Sequence, residues 1–128
     1  MKTKIYLIRI ALPLAFFLFI LWIIFLADSA NYNYAFFMVG SIPYGDKIAH
    51  ALLYGVMALL LNFGLGFKTK QFLGLNIQLG SILVLLFAGV EELSQYFFPS
   101  RILDMYDFIA DFVGVFLASY VSNWFKKV

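Results

Sequence analysis

The chain has 128 residues, 64% of them hydrophobic and only 12% charged, with a formal net charge of +2. Its mean hydropathy is +0.94, whereas a soluble domain carries roughly a quarter charged residues, so the composition excludes a soluble globular protein and indicates a single integral membrane domain over residues 1–128. The absence of cysteine excludes disulfides and thiolate chemistry, and no basic patch interleaved with aromatics points to a nucleic acid.

A transmembrane helix needs about 20 mostly apolar residues. The first such run is expected from about Ile5 to Ala27, with Arg9 able to snorkel to the headgroups and Pro13 placed to kink it. Its basic start resembles a signal peptide, but Asp28-Ser29-Ala30 is a poor cleavage site, so it is read as an uncleaved span. The connection over 28–45 is polar and aromatic and is broken by Gly40, Pro43 and Gly45. Tyr32, Tyr34, Phe36, Phe37 and Tyr44 suit the membrane–water interface, which predicts a short interfacial helix or a re-entrant cap. The second span is expected from Asp46, an N-cap type of residue, to about Phe67. The third should run from about Phe72 to Phe98, ended by Pro99, and the fourth from just after Arg101 to about Trp124. The expected fold is therefore an all-α bundle of four transmembrane helices.

Orientation follows from the bases. Lys2, Lys4 and Arg9, then Lys68 and Lys70, then Lys126 and Lys127 fall on one side of a four-span bundle, and the positive-inside rule makes that side cytoplasmic. Both termini are then cytoplasmic, and 28–45 is extracytoplasmic. The acids collect in the outer half.

Between Glu91 and Gly114 the apolar pattern is interrupted by Glu91, Glu92, Arg101, Asp104, Asp107 and Asp111. Ionised groups are costly in apolar surroundings and, within membrane segments, are usually paired or functional. Arg101, Asp104, Asp107 and Asp111 are spaced by three, three and four, which places them on one helical stripe, and Gly114 and Ala118 continue it with small residues that admit a close neighbour. Gln95 of span three is spaced by four from Glu91 and by three from Glu92; Glu91 and Glu92 diverge by about 100°, so only one of the two is expected to face the centre of the site. At the head of span two, Asp46 and Lys47 share a face with His50, and Tyr54 carries a hydroxyl one turn deeper.

Such a set allows three chemistries. His50, Glu92 and Asp107 could act as acid and base. Asp46, Lys47, Gln95, Arg101, Asp104 and Asp111 could hold a ligand, with Lys47 and Arg101 contacting a phosphate headgroup. Carboxylate oxygens could bind a divalent cation, although no metal-ligand set is assigned. The alternative is an ion-pair network that only fixes helix packing, but six acids against Lys47, Arg101 and one imidazole leave an excess of negative charge.

These residues resemble the VanZ-like family of small bacterial membrane proteins. The resemblance rests on Asp46-Lys47-x-x-His50, Glu92-x-x-Gln95 and Arg101-x-x-Asp104-x-x-Asp107-x-x-x-Asp111-x-x-Gly114, in that order, and departs from the family at Asp111, where Asn is usual. It implies a multi-pass envelope protein. The family is named after a protein linked to reduced sensitivity to the glycopeptide antibiotic teicoplanin. Two functions from different classes follow as expectations. One is recognition of an anionic envelope lipid, such as a polyprenyl-phosphate-linked or cell-wall precursor, in a pocket of the outer leaflet. The other is a membrane-embedded enzyme acting on such a headgroup.

Overall fold

Four helices in the computed structural model are long and apolar enough to cross a membrane, as the hydropathy pattern requires of a multi-pass membrane protein. The structure describes residues 2–28, 34–98 and 104–127. In chain order the elements are α1 (Lys2–Asp28), the short α2 (Tyr34–Ser41), α3 (Gly45–Gly64), a hairpin of β1 (Thr69–Phe72) and β2 (Leu75–Gln78), α4 (Leu79–Ser94) continued by a 3-10 turn over Gln95–Phe97, and α5 (Met105–Lys127).

The third span departs from expectation. Residues 69–78 were expected to lie largely within its helix and instead form an antiparallel hairpin, with Thr69 opposite Gln78 and Phe72 opposite Leu75, so the chain is not entirely helical. The cause is local. Leu73 and Gly74 both take positive φ, 51° and 80°, which is the tight two-residue turn that matches strand twist. Phe72, Leu75 and Ile77 then alternate with polar residues at the period of a strand. At the other end of this span the helix tightens into the 3-10 turn and Phe98 is extended, at φ −116° and ψ 122°. The residue before a proline is biased to that conformation.

The start of α3 also differs. Its N-cap is Tyr44, in a left-handed conformation and without a side-chain cap bond, while Asp46 lies inside the first turn. From there the Asp46 carboxylate bonds the Lys47 ammonium.

α3 is the central helix, in contact with α1, α2, α4 and α5, and it packs most extensively on α5. Where α3 and α5 cross, the backbones nearly touch. A Cβ on Gly114 would fall on the Ala51 carbonyl, 2.7 Å from its carbon, and one on Gly55 would lie 2.9 Å from Gly114 O. Small residues at a crossing let helices approach closely, which lipid-embedded bundles need because they gain little from the hydrophobic effect. The apolar core lies beside this crossing and comprises Ile20, Tyr54, Met57, Ala58, Val84, Ala88, Val115 and Ala118. By contrast α1 is only 22% buried, and Leu18, Trp22 and Phe25 are exposed along it. Pro13 cannot bond the Arg9 carbonyl, and Gly64 of α3 packs there, where a Cβ would lie 2.6 Å from Arg9 O.

The end of the bundle that carries the bases is closed by neutral hydrogen bonds. Asn62 Nδ2 donates to Ser81 Oγ at 3.0 Å and Ser122 Oγ at 3.4 Å, and Asn62 Oδ1 accepts the Ser81 backbone N–H at 3.0 Å. That N–H lies in the first turn of α4, where no intrahelical acceptor exists, so a side chain of α3 caps α4. Gln78 joins Asn123 of α5 at 2.7 Å.

Candidate functional site

The buried stripe of α5 changes chemistry along its length: Asp107 and Asp111, then Gly114 and Ala118, then Ser122. The acids therefore stand at the opposite end from Ser122, one turn beyond the Gly114 crossing, where α3 presents Asp46, Lys47 and His50. The close backbone approach brings these two sets within bonding distance.

Lys47 stands among three carboxylates. Its Nζ lies 2.8 Å from Asp46 Oδ2, 2.7 Å from Asp104 Oδ2 and 2.9 Å from Asp107 Oδ1. Asp104 is also the N-cap of α5, because its Oδ1 accepts the Tyr106 N–H at 2.9 Å. The Lys47 ammonium, followed by the Tyr106 N–H, holds the Asp104 carboxyl below the usual carboxylate range.

One turn deeper, His50 Nδ1 is 2.8 Å from Asp111 Oδ1 and its Nε2 is 3.8 Å from Asp107 Oδ2. Asp111 is 0% exposed. Its other oxygen, Oδ2, has no hydrogen-bond partner among the described residues. The His50 ring stacks on Tyr54, with centroids 6.0 Å apart, and the Tyr54 hydroxyl donates to Glu91 Oε2 at 3.4 Å.

Both glutamates of α4 are buried, Glu91 at 5% exposure and Glu92 at 2%, and of the two it is Glu91 that lines the cleft beside the site. Gln95 makes this tolerable. Its Nε2 lies 3.1 Å from both Glu91 oxygens and 3.2 Å from Glu92 Oε2. Glu92 Oε1 accepts the Asp104 backbone N–H at 3.0 Å, tying the end of α4 to the start of α5.

A cleft of about 410 Å³ opens beside these groups. Its apolar wall comes from Ile20, Ile24 and Ala27 of α1 and from Phe36 and Val39 of α2. The rest of the lining, from α3, the end of α4 and α5, carries Asp46, His50, Tyr54, Glu91, Gln95 and Asp107 together with the apolar Ala49 and Leu53. The short α2 thus covers one side of the site.

Of the residues expected at the site, Asp46, Lys47, His50, Glu92, Gln95, Asp104, Asp107 and Asp111 come together; Arg101 lies outside the described residues. Glu91, left open against Glu92 by the sequence, joins them, and its spacing of four from Gln95 is the signal of the shared face. The sequence reading passed over the Asn62–Ser81–Ser122 network, whose signal was the continuation of the α5 stripe to Ser122. Two groups of donors converge closely enough to hold a cation, each with ligand atoms within 4.8 Å of one another: Asp46, Asp104 and Asp107, and His50, Glu92 and Asp111. The chain matches no protein-family model, no curated protein and no solved structure.

Proposed function

We propose that the chain is a VanZ-like protein of the bacterial cytoplasmic membrane, with both termini cytoplasmic and α2 along the outer interface, and that its cleft binds the headgroup of an anionic envelope lipid or cell-wall lipid intermediate. The observation that carries the reading is the two-sided cleft. One wall, from α1 and α2, is apolar, which suits an acyl or prenyl chain. The other carries carboxylates, an imidazole, an amide and a phenol, which suits a polar head. A link to glycopeptide sensitivity belongs to the same reading and rests on the motif resemblance alone.

Charge constrains how an anion could sit there. Lys47 already has three carboxylate neighbours, so a phosphate would contact Arg101 or reach the acidic wall through a bound cation. The second reading, an enzyme acting on the headgroup, draws on the His50–Asp111 bond. A carboxylate on Nδ1 orients an imidazole so that Nε2 can exchange protons with a ligand in the cleft.

The test is the thermal stability of detergent-purified protein with a polyprenyl phosphate and with the matching polyprenol, because a ligand that binds only the folded state raises apparent stability. The wild type should be stabilised by the phosphate lipid selectively. Arg101→Ala should lose the selectivity, and Ile24→Trp, which fills the apolar wall, should lose the stabilisation. Equal stabilisation by both lipids, or none, would sink the proposal. Turnover of the bound lipid, abolished in His50→Gln, would move the assignment to the enzyme.

A further inference from the structure

We infer that His50, Glu92 and Asp111 form a binding site for one divalent transition-metal cation of the Zn²⁺ or Mn²⁺ type. This goes beyond the lipid reading and does not require it.

The two convergent donor groups differ in one respect. Between Asp46, Asp104 and Asp107 stands the Lys47 ammonium, within 2.9 Å of an oxygen of each. There the fold supplies its own cation. No lysine or arginine among the described residues stands between His50, Glu92 and Asp111, although this group is the more deeply buried, with Glu92 at 2% and Asp111 at 0% exposure. A buried carboxylate oxygen without a donor is costly, and Asp111 Oδ2 has none among the described residues. A cation is the partner that this geometry lacks.

The donor distances fit an ion. Ligands on a cation with bonds of about 2.1 Å stand about 3.0–3.4 Å apart. His50 Nδ1 and Asp111 Oδ1 are 2.8 Å apart, and the three residues' donor atoms lie within 4.8 Å of one another, so closure around an ion takes shifts of about an ångström. Glu92 is already oriented for it, by the Asp104 N–H on Oε1 and by Gln95 on Oε2, in the manner of the outer partners that fix metal-bound carboxylates. One imidazole nitrogen and two carboxylates suit Zn²⁺ or Mn²⁺ better than the all-oxygen preference of Mg²⁺ or Ca²⁺. His50 lines the cleft, so an ion held there would have coordination positions facing a ligand. Ligation would replace the hydrogen bond between His50 and Asp111, which a proton otherwise occupies.

The experiment uses chelator-stripped protein in detergent without added lipid. Zn²⁺ and Mn²⁺ binding are followed by titration calorimetry, and Co²⁺ by its visible ligand-field bands. The expected result is one ion per chain for the wild type and roughly tenfold or greater weakening in Asp111→Asn and His50→Gln. Asp28→Asn should bind as the wild type does. Because Asp111→Asn preserves shape, circular dichroism and elution volume separate loss of the ligand from loss of the fold. If both variants misfold, the wild-type Co²⁺ spectrum decides alone, since bands from a nitrogen–oxygen donor set are required. Binding lost in Asp46→Asn but kept in Asp111→Asn would overturn the assignment, as would absence of stoichiometric binding. Polyprenyl phosphate binding is read separately, by the lipid experiment on protein without added metal, so failure of one reading is distinguishable from failure of the other.

Discussion

The α3–α5 crossing is the mechanical support of the site, and Gly114→Ala tests it. The new methyl would sit 2.7 Å from the Ala51 carbonyl carbon and 2.8 Å from its Cα, against an ordinary contact of 3.4 Å. The neighbours are backbone and cannot rotate away, and the methyl would also fall on the Ala51 carbonyl oxygen, so the helices must part locally by at least about 0.7 Å. Ala51 adjoins His50, and Gly114 lies one turn from Asp111. The same movement would stretch the 2.8 Å bond between His50 and Asp111 to about 3.5 Å or more, where a hydrogen bond is largely lost. Overpacking costs about 1–3 kcal/mol and a weakened bond about 1 kcal/mol, while alanine recovers up to about 1 kcal/mol of helix propensity. The net expectation is destabilisation by about 2 kcal/mol. The assay is equilibrium unfolding in mixed detergent micelles, with Gly89→Ala as the control. A Cβ at Gly89 meets only Phe108 Cε2, at 3.5 Å, so that variant should gain about 0.5–1 kcal/mol from propensity. Gly114→Ala as stable as Gly89→Ala would refute the reasoning that this crossing is close-packed.

Three further outcomes are expected from the same assay. Lys47→Met leaves Asp46, Asp104 and Asp107 facing one another without their cation and should cost about 3 kcal/mol, the lower end for a buried pair because Lys47 keeps 27% of its side chain exposed; adding Asp107→Asn should recover part of that loss, and an additive double variant would argue against the coupling. Asn62→Ala removes the acceptor of the Ser81 N–H and the donor to two serines and should cost about 1–2 kcal/mol, whereas unchanged stability would mean that water or another group caps α4. Asp104 is held low by Lys47, so its stabilising contribution is present above the unfolded carboxyl value of about 3.9 and is lost as pH falls through the lower folded value. Asp104→Asn should therefore flatten the decline in stability below pH about 4 relative to the wild type, and parallel pH profiles would contradict this.

Much of the site could be read from spacing. Asp104, Asp107 and Asp111 recur at helical intervals, so any helix through them gathers them on one stripe, and Gly114 marks where a neighbour can come close. The apolar run lengths likewise determined that four helices could cross a membrane, because hydropathy and 1.5 Å rise per residue depend only on local sequence. Two local features escaped because competing signals overlapped. Residues 69–78 sit between apolar runs, and only the positive φ of Leu73 and Gly74 separates a hairpin from the first turns of a helix. Gly45-Asp46 suggested a carboxylate cap, but Lys47 offers Asp46 a charged partner one residue away.

Other features belong to the tertiary structure alone. That Lys47 serves three carboxylates, that both Glu91 and Glu92 turn inward, and that Asp111 keeps one oxygen without a donor among the described residues all depend on how α3, α4 and α5 cross. The two-sided cleft depends further on where α1 and α2 rest against α3. Periodicity fixes which residues share a face of one helix. Which faces meet, and at what distance, is set by side-chain volumes at the crossings, and one missing Cβ at Gly114 decides whether His50 reaches Asp111.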